Sequence, residues 1–140
     1  MSDFEPTIVA FFCNWCTYTA ADLAGTSRLS YPPNIKIIRM MCSGMVDPKY
    51  VVKALLEGAD GVIISGCNPG DCHSINGNYK ARRRIKLLKA ILPQFGFEPE
   101  RLRLTWIAAS DGVLLAETLQ EMVAQIKALG PRQAKMKMVI

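Results

Sequence analysis

No apolar run in this sequence is long enough to cross a bilayer. "TIVAFFC" is as long as any, and a spanning helix needs about 20 such residues. The opening residues, "MSDFEPT", are acidic and lack the basic stretch of a secretory signal. Membrane insertion is therefore not expected, and the expected location is cytoplasmic. Phosphate-cradling loops are missing as well, with neither a G-x-G-x-x-G fingerprint nor a Walker loop. No acid–base pair marks a catalytic centre, since Asp71 lies in a Gly-Asp context that reads as a turn or cap. Histidine is scarce, His73 being the only one. The basic residues are not interleaved with aromatics that could stack on bases, so nucleic acid is not an expected partner.

What is present suits one globular domain. The 140 residues are 50% hydrophobic and 21% charged, enough for a core without covalent staples. The expectation is a single domain over residues 1–130 with a C-terminal tail, 131–140. The net charge of +5 draws on the block Lys80, Arg82, Arg83, Arg84, Lys86, Lys89. This block reads either as a solvated helix face or as a surface for an acidic protein or anionic cofactor. There are five cysteines. In a reducing compartment they point to metal ligands or redox-active thiols rather than a disulfide framework.

Strand-like and helix-like runs alternate. "TIVAFF" (7–12), "NIKIIRMM" (34–41), "GVIIS" (61–65) and "RLTWIA" (103–108) read as strands buried on both faces, as a parallel sheet requires. Helices are expected at about 17–29, at 47–58, in "YKARRRIKLLKAIL" and in the last apolar stretch. Asp47, Pro48 and Gly58 supply the end signals of the second helix. Ala81, Ile85, Leu88 and Leu92 form one apolar stripe. Leu115, Leu119, Met122, Ile126 and Leu129 form another, ended by Gly130-Pro131. The order implies an α/β fold, a four-stranded parallel sheet of flavodoxin-like order 2-1-3-4 with helices on both faces. Its switch point lies between the first and third strands. Trp106, on the fourth strand, reads as core.

This topology gathers the cysteines. Cys13 follows the first strand, Cys16 lies a helical turn further, Cys42 ends the second strand, and Cys67 and Cys72 share the loop after the third. Parallel strands put these ends on one edge, with neighbours roughly 5 Å apart, at the crevice where α/β sheets bind ligands. Individually, such cysteines could be small buried hydrophobes. Together, flanked by Gly44, Gly66, Gly70 and Gly77, they suggest a cofactor pocket. The glycines would allow positive φ angles and close backbone approach, with N–H groups donating to sulfur. Three chemistries suit the pocket: a structural zinc site, a dithiol pair at Cys13 and Cys16 in "CNWC", and an iron–sulfur cluster, which needs four thiolates and leaves one over. The cluster fits the count best.

The segments "FFCNWCTYTAADLAGTSRLSYPPNIKIIRMMCSGMVDP" and "GADGVIISGCNPGDCHSINGNYKARRR" resemble the delta subunit of methyl-viologen-reducing [NiFe] hydrogenase, from about residue 7 to 130. The motifs C-N-W-C, M-C-S-G-x-V-D-P, G-C-x-P-G-D-C-H and G-N-Y occur in order. The resemblance implies a small electron-transfer subunit carrying a [2Fe-2S] cluster. Such a subunit links a hydrogenase or other dehydrogenase module to the FAD-containing subunit of a heterodisulfide reductase-type complex. It implies that four of Cys13, Cys16, Cys42, Cys67 and Cys72 are ligands. His73, Asn14, Gly44 and Gly66 are expected around them. With only one histidine, a Rieske pattern cannot be completed within the chain, so His73 is expected to donate a hydrogen bond or couple a proton. Arg28 and Arg39 are candidates for nearby positive charge, or are ordinary surface cations. Trp15 and Tyr18 are expected to shield the pocket or to pack at a docking surface.

Overall fold

The structure is a computed structural model that describes residues 5–13, 20–21, 35–66, 77–108 and 110–131. Four strands form one sheet: β1 (Ile8–Cys13), β2 (Ile35–Met40), β3 (Gly61–Gly66) and β4 (Leu102–Trp106). The order is β2-β1-β3-β4, and every pairing is parallel. The α/β fold and strand order expected from the sequence are those observed. Three long helices are described: α1 (Pro48–Leu56), α2 (Gly77–Ile91) and α3 (Gly112–Leu129). Of the helix expected at 17–29, Ala20 and Ala21 are helical. The rest of it, including Tyr18 and Arg28, lies outside the described residues, as do Trp15, Asp71 and the tail from 132.

Helix ends follow local chemistry. The Asp47 carboxylate accepts from the Lys49 backbone N–H at 2.9 Å, with Pro48 in the first turn. Gly58, just past α1, has φ +125°, and Gly130, the C-cap of α3, has φ +82°. Both are left-handed values that a side chain would oppose. No helix among the described residues is long and apolar enough to cross a membrane.

The sheet divides the interior into two cores. Leu115, Leu119, Met122 and Ile126 of α3 pack with Ile8, Ala10, Phe12 and Ile63 on one face. Val51 and Leu55 of α1 and Ile85 and Leu88 of α2 pack with Phe11, Val62, Ile64 and Leu102 on the other. Alternate strand residues point to opposite faces, so β3, central and covered twice, is buried at all six positions. The edge strands depart from the sequence expectation of burial on both faces. In β2, Ile35 and Ile37 are half-buried, while Lys36, Ile38 and Arg39 are exposed. An edge strand has one neighbour, and Lys36 and Ile38 of β2 line an open groove beside α1. Trp106 is likewise half-buried rather than core, because β4 is the other edge.

At the N-terminal edge of the sheet, a buried cation ties three segments together. The Arg101 guanidinium is fully buried; it donates to Glu98 Oε2 at 2.6 Å, the Asp60 carbonyl at 2.9 Å and the Gly130 carbonyl at 2.7 Å. Partial burial pushes the Glu98 carboxyl upward. The hydrogen bond from Arg101, that from the Glu98 backbone and the guanidinium charge together outweigh it, so its pKa falls below 4.5. The unfolded chain therefore takes up this proton first as acid is added. The pairing stabilises fully above the ordinary glutamate pKa, and its contribution is lost as the pH falls through the folded-state value. Denaturation midpoints measured across this acid range should fall less steeply in Glu98→Gln than in the unaltered protein.

Candidate functional site

The C-terminal edge of the sheet carries the thiols that the structure describes. Cys13 is the last residue of β1 rather than the residue after it, and Cys42 lies two residues beyond the end of β2 rather than ending it. Both are buried, with 1% and 5% exposure. The Cys13 thiol donates to the carbonyl of Met41, the residue before Cys42, at 3.9 Å. Phe12 pairs with Ser65, so Cys13 and Gly66, the residue before Cys67, come next along neighbouring strands. This is the switch point, where the chain leaves β1 for one side of the sheet and β3 for the other.

Cys42 opens a single 3-10 turn, Ser43–Met45, and its sulfur accepts the backbone N–H of Gly44 at 3.4 Å. Strand, thiol and amide are thus set by consecutive residues. The turn packs on the ends of β1 and β3 and on the start of α2. Gly44 and Gly66 do not adopt the positive φ that the sequence suggested; they are required for close approach alone. A Cβ on Gly44 would lie 2.8 Å from both Cα and O of Gly77, and one on Gly66 would lie 2.6 Å from Ser43 Oγ. Arg84 of α2 donates to the Gly44 carbonyl, locking the turn from the other side. The basic block is otherwise exposed, with only Lys89 half-buried, and Arg39 is exposed on β2.

Cys16, Cys67, Cys72, His73 and Asn14 lie outside the described residues. Among the described residues, no group of three or more His, Cys, Asp or Glu side chains is positioned to hold a metal. Cys13, Cys42, Gly44 and Gly66 are brought to one edge. Sequence reasoning missed Ser43, whose buried hydroxyl sits between Cys42 and Gly44, and the reach of Arg84. The one available signal for Ser43 was its place inside the C-S-G motif. A groove of about 720 Å³ runs between β2 and α1, lined by Val9, Phe11, Ile38, Met40 and Tyr50 among others. Neither described cysteine lines it.

The fold and this edge define a parallel α/β domain with buried thiols and a sulfur-directed amide at its switch point. The chain belongs to the family of the methyl-viologen-reducing hydrogenase delta subunit, whose sequence profile matches residues 8–130. It is 56% identical over 129 residues to the iron-sulfur subunit of the F420-non-reducing hydrogenase of Archaeoglobus profundus, covering 92% of this chain and 94% of that protein. It is 51% identical to the iron-sulfur subunit of the vhc F420-non-reducing hydrogenase of Methanococcus voltae, covering 92% of this chain and 90% of that one. A third relative is one polypeptide of the ferredoxin/F420H2-dependent CoB-CoM heterodisulfide reductase of Methanosarcina acetivorans. It is 46% identical over 94% of this chain, a stretch that makes up 17% of that longer protein.

Proposed function

We propose that this chain is a cytoplasmic electron-transfer subunit that carries a [2Fe-2S] cluster on four of Cys13, Cys16, Cys42, Cys67 and Cys72. Its place is in a hetero-oligomeric complex, between a hydrogenase or other dehydrogenase module as donor and the FAD-containing subunit of a heterodisulfide reductase-type complex as acceptor. The observation that carries this reading is the Cys42 sulfur, buried at the switch point beside Cys13 and already receiving the Gly44 N–H. The surroundings suit a sulfur-rich anionic group. Gly44 and Gly66 let α2 and the Cys42 turn pack closely at this edge, and a buried hydroxyl, Ser43 Oγ, has no partner among the described residues.

When bound, the cluster supplies a one-electron site. The chain's own residues set its surroundings. Gly44 N–H directs positive dipole at the Cys42 sulfur, which, with Cys42 among the four ligands, favours the more negative, reduced state. Phe12, Cys13 and Cys42 are each at most 5% exposed and keep water from this edge. Met41 and Met45 flank the Cys42 turn at 52% and 56% exposure. This apolar rim beside the thiols suits burial against a neighbouring protein of the complex. The Methanosarcina relative supports the choice of acceptor, because a segment of this kind is part of a single polypeptide of a heterodisulfide reductase.

Anaerobically purified protein should be coloured and contain about two irons and two sulfides per chain. Serine substitution at each of four cysteines should abolish or shift the electron paramagnetic resonance signal of the reduced protein, and at the fifth leave it nearly unchanged. Colourless protein with zinc would replace the reading by a structural zinc-binding interaction module. Colourless, metal-free protein with a titratable Cys13–Cys16 pair would replace it by a dithiol oxidoreductase.

A further inference from the structure

We infer that the Ser43 hydroxyl is a hydrogen-bond donor to a sulfur of the bound cluster, either a cysteine thiolate or a bridging sulfide, and so raises its reduction potential. This inference rests on the cluster reading above. Its own evidence is an orphan: Ser43 is 2% exposed, and its Oγ has no hydrogen-bond partner among the described residues. A buried hydroxyl left unpaired costs about 1–3 kcal/mol, so one that persists calls for a partner.

The surroundings say where that partner sits. Ser43 follows Cys42 directly, on a turn held between the ends of β1 and β3 and the start of α2. Its Oγ stands over Gly66, 2.6 Å from where a Cβ of that residue would be, and Gly66 precedes Cys67. The hydroxyl is therefore buried at the sheet edge, against Gly66 at the end of β3 and on a turn that also packs on β1. No acceptor among the described residues bonds it, whereas a sulfur-rich anionic cofactor would. The turn cannot readily swing away to resolve the mismatch, because Gly44 abuts the Gly77 backbone and its carbonyl is held by Arg84. Ser43 is thus a positioning and tuning residue, distinct from the ligands. An O–H aimed at sulfur stabilises the added negative charge of reduction, just as a backbone N–H does.

The test is redox titration of the anaerobically purified protein, with iron and sulfide counted on the same samples. Wild-type protein without iron and sulfide would overturn the cluster reading itself, before any variant is compared. With the cluster present, Ser43→Ala should keep its iron and sulfide but show a lower midpoint potential. It should also lose one exchangeable proton coupling in pulsed electron paramagnetic resonance. An unchanged potential and an unchanged coupling would overturn the inference. Should Ser43→Ala fail to retain iron, the equal-volume pair Ser43→Thr and Ser43→Val decides. A lower potential or missing cluster in the valine protein alone bears the inference out; equal behaviour of the two overturns it.

Discussion

Replacing Arg101 by methionine should destabilise the protein by about 3 kcal/mol, a large share of a total that for domains of this kind is about 5–15 kcal/mol. The side chain is fully buried and donates to three acceptors on three segments: Glu98 Oε2, the Asp60 carbonyl before β3 and the Gly130 carbonyl after α3. Methionine fills much of the same volume but donates nothing. The two carbonyls would be left unpaired at about 1–3 kcal/mol each, and the Glu98 carboxylate would lose its counter-charge. Part of the Glu98 loss is recovered by water, because that side chain is 41% exposed. Lysine should rescue only in part, since a single ammonium cannot reproduce a planar fork that reaches three acceptors. Chemical denaturation reads the midpoint directly. Because Arg101 lies at the opposite sheet edge from the thiols, iron per folded chain should stay unchanged, and a variant that lost iron while keeping its midpoint would contradict this account.

Gly44→Ala should have the larger effect at the thiol edge: a loss of about 1–3 kcal/mol in stability and a marked drop in iron per chain. The added methyl would sit 2.8 Å from two backbone atoms of Gly77, with no flexible side chain able to yield. Either the Cys42 turn or the first turn of α2 must move. Moving the turn displaces the Gly44 N–H from the Cys42 sulfur and the Gly44 carbonyl from Arg84. Visible absorbance per chain, measured beside the denaturation midpoint, separates the two losses. Wild-type absorbance and wild-type stability together would show that the approach of α2 to this turn is not required.

Most of the architecture was legible in the chain because each cue acts within a few residues. Asp47-Pro48 caps α1 through a bond to Lys49, two residues on. The stripe Leu115, Leu119, Met122, Ile126 and Leu129 predicts which side of α3 is buried; the first four residues have no exposed surface, and Leu129, at the helix end, is half-buried. Once strands and helices alternate, the right-handed crossover rule leaves few topologies, and the placement of Cys13 and Cys42 at one edge follows. The same local logic overreached at β2, where an apolar run was read as buried on both faces. Hydrophobic content does not reveal whether a strand has one neighbour or two.

Local cues along the chain suffice for the parallel α/β order, the start of α1 at Asp47-Pro48, the end of α3 at Gly130, and the delivery of Cys13 and Cys42 to one sheet edge. Only the folded packing makes Arg101 interior, gives Gly44 and Gly66 a role in close approach rather than unusual φ, and keeps the Ser43 hydroxyl buried next to Cys42. The reason is distance along the chain. Arg101 meets partners 41 and 29 residues away, and Arg84 reaches Gly44 from 40 residues away. Contacts of that kind leave no periodic trace in either segment, since they exist only once the sheet has brought its edges together.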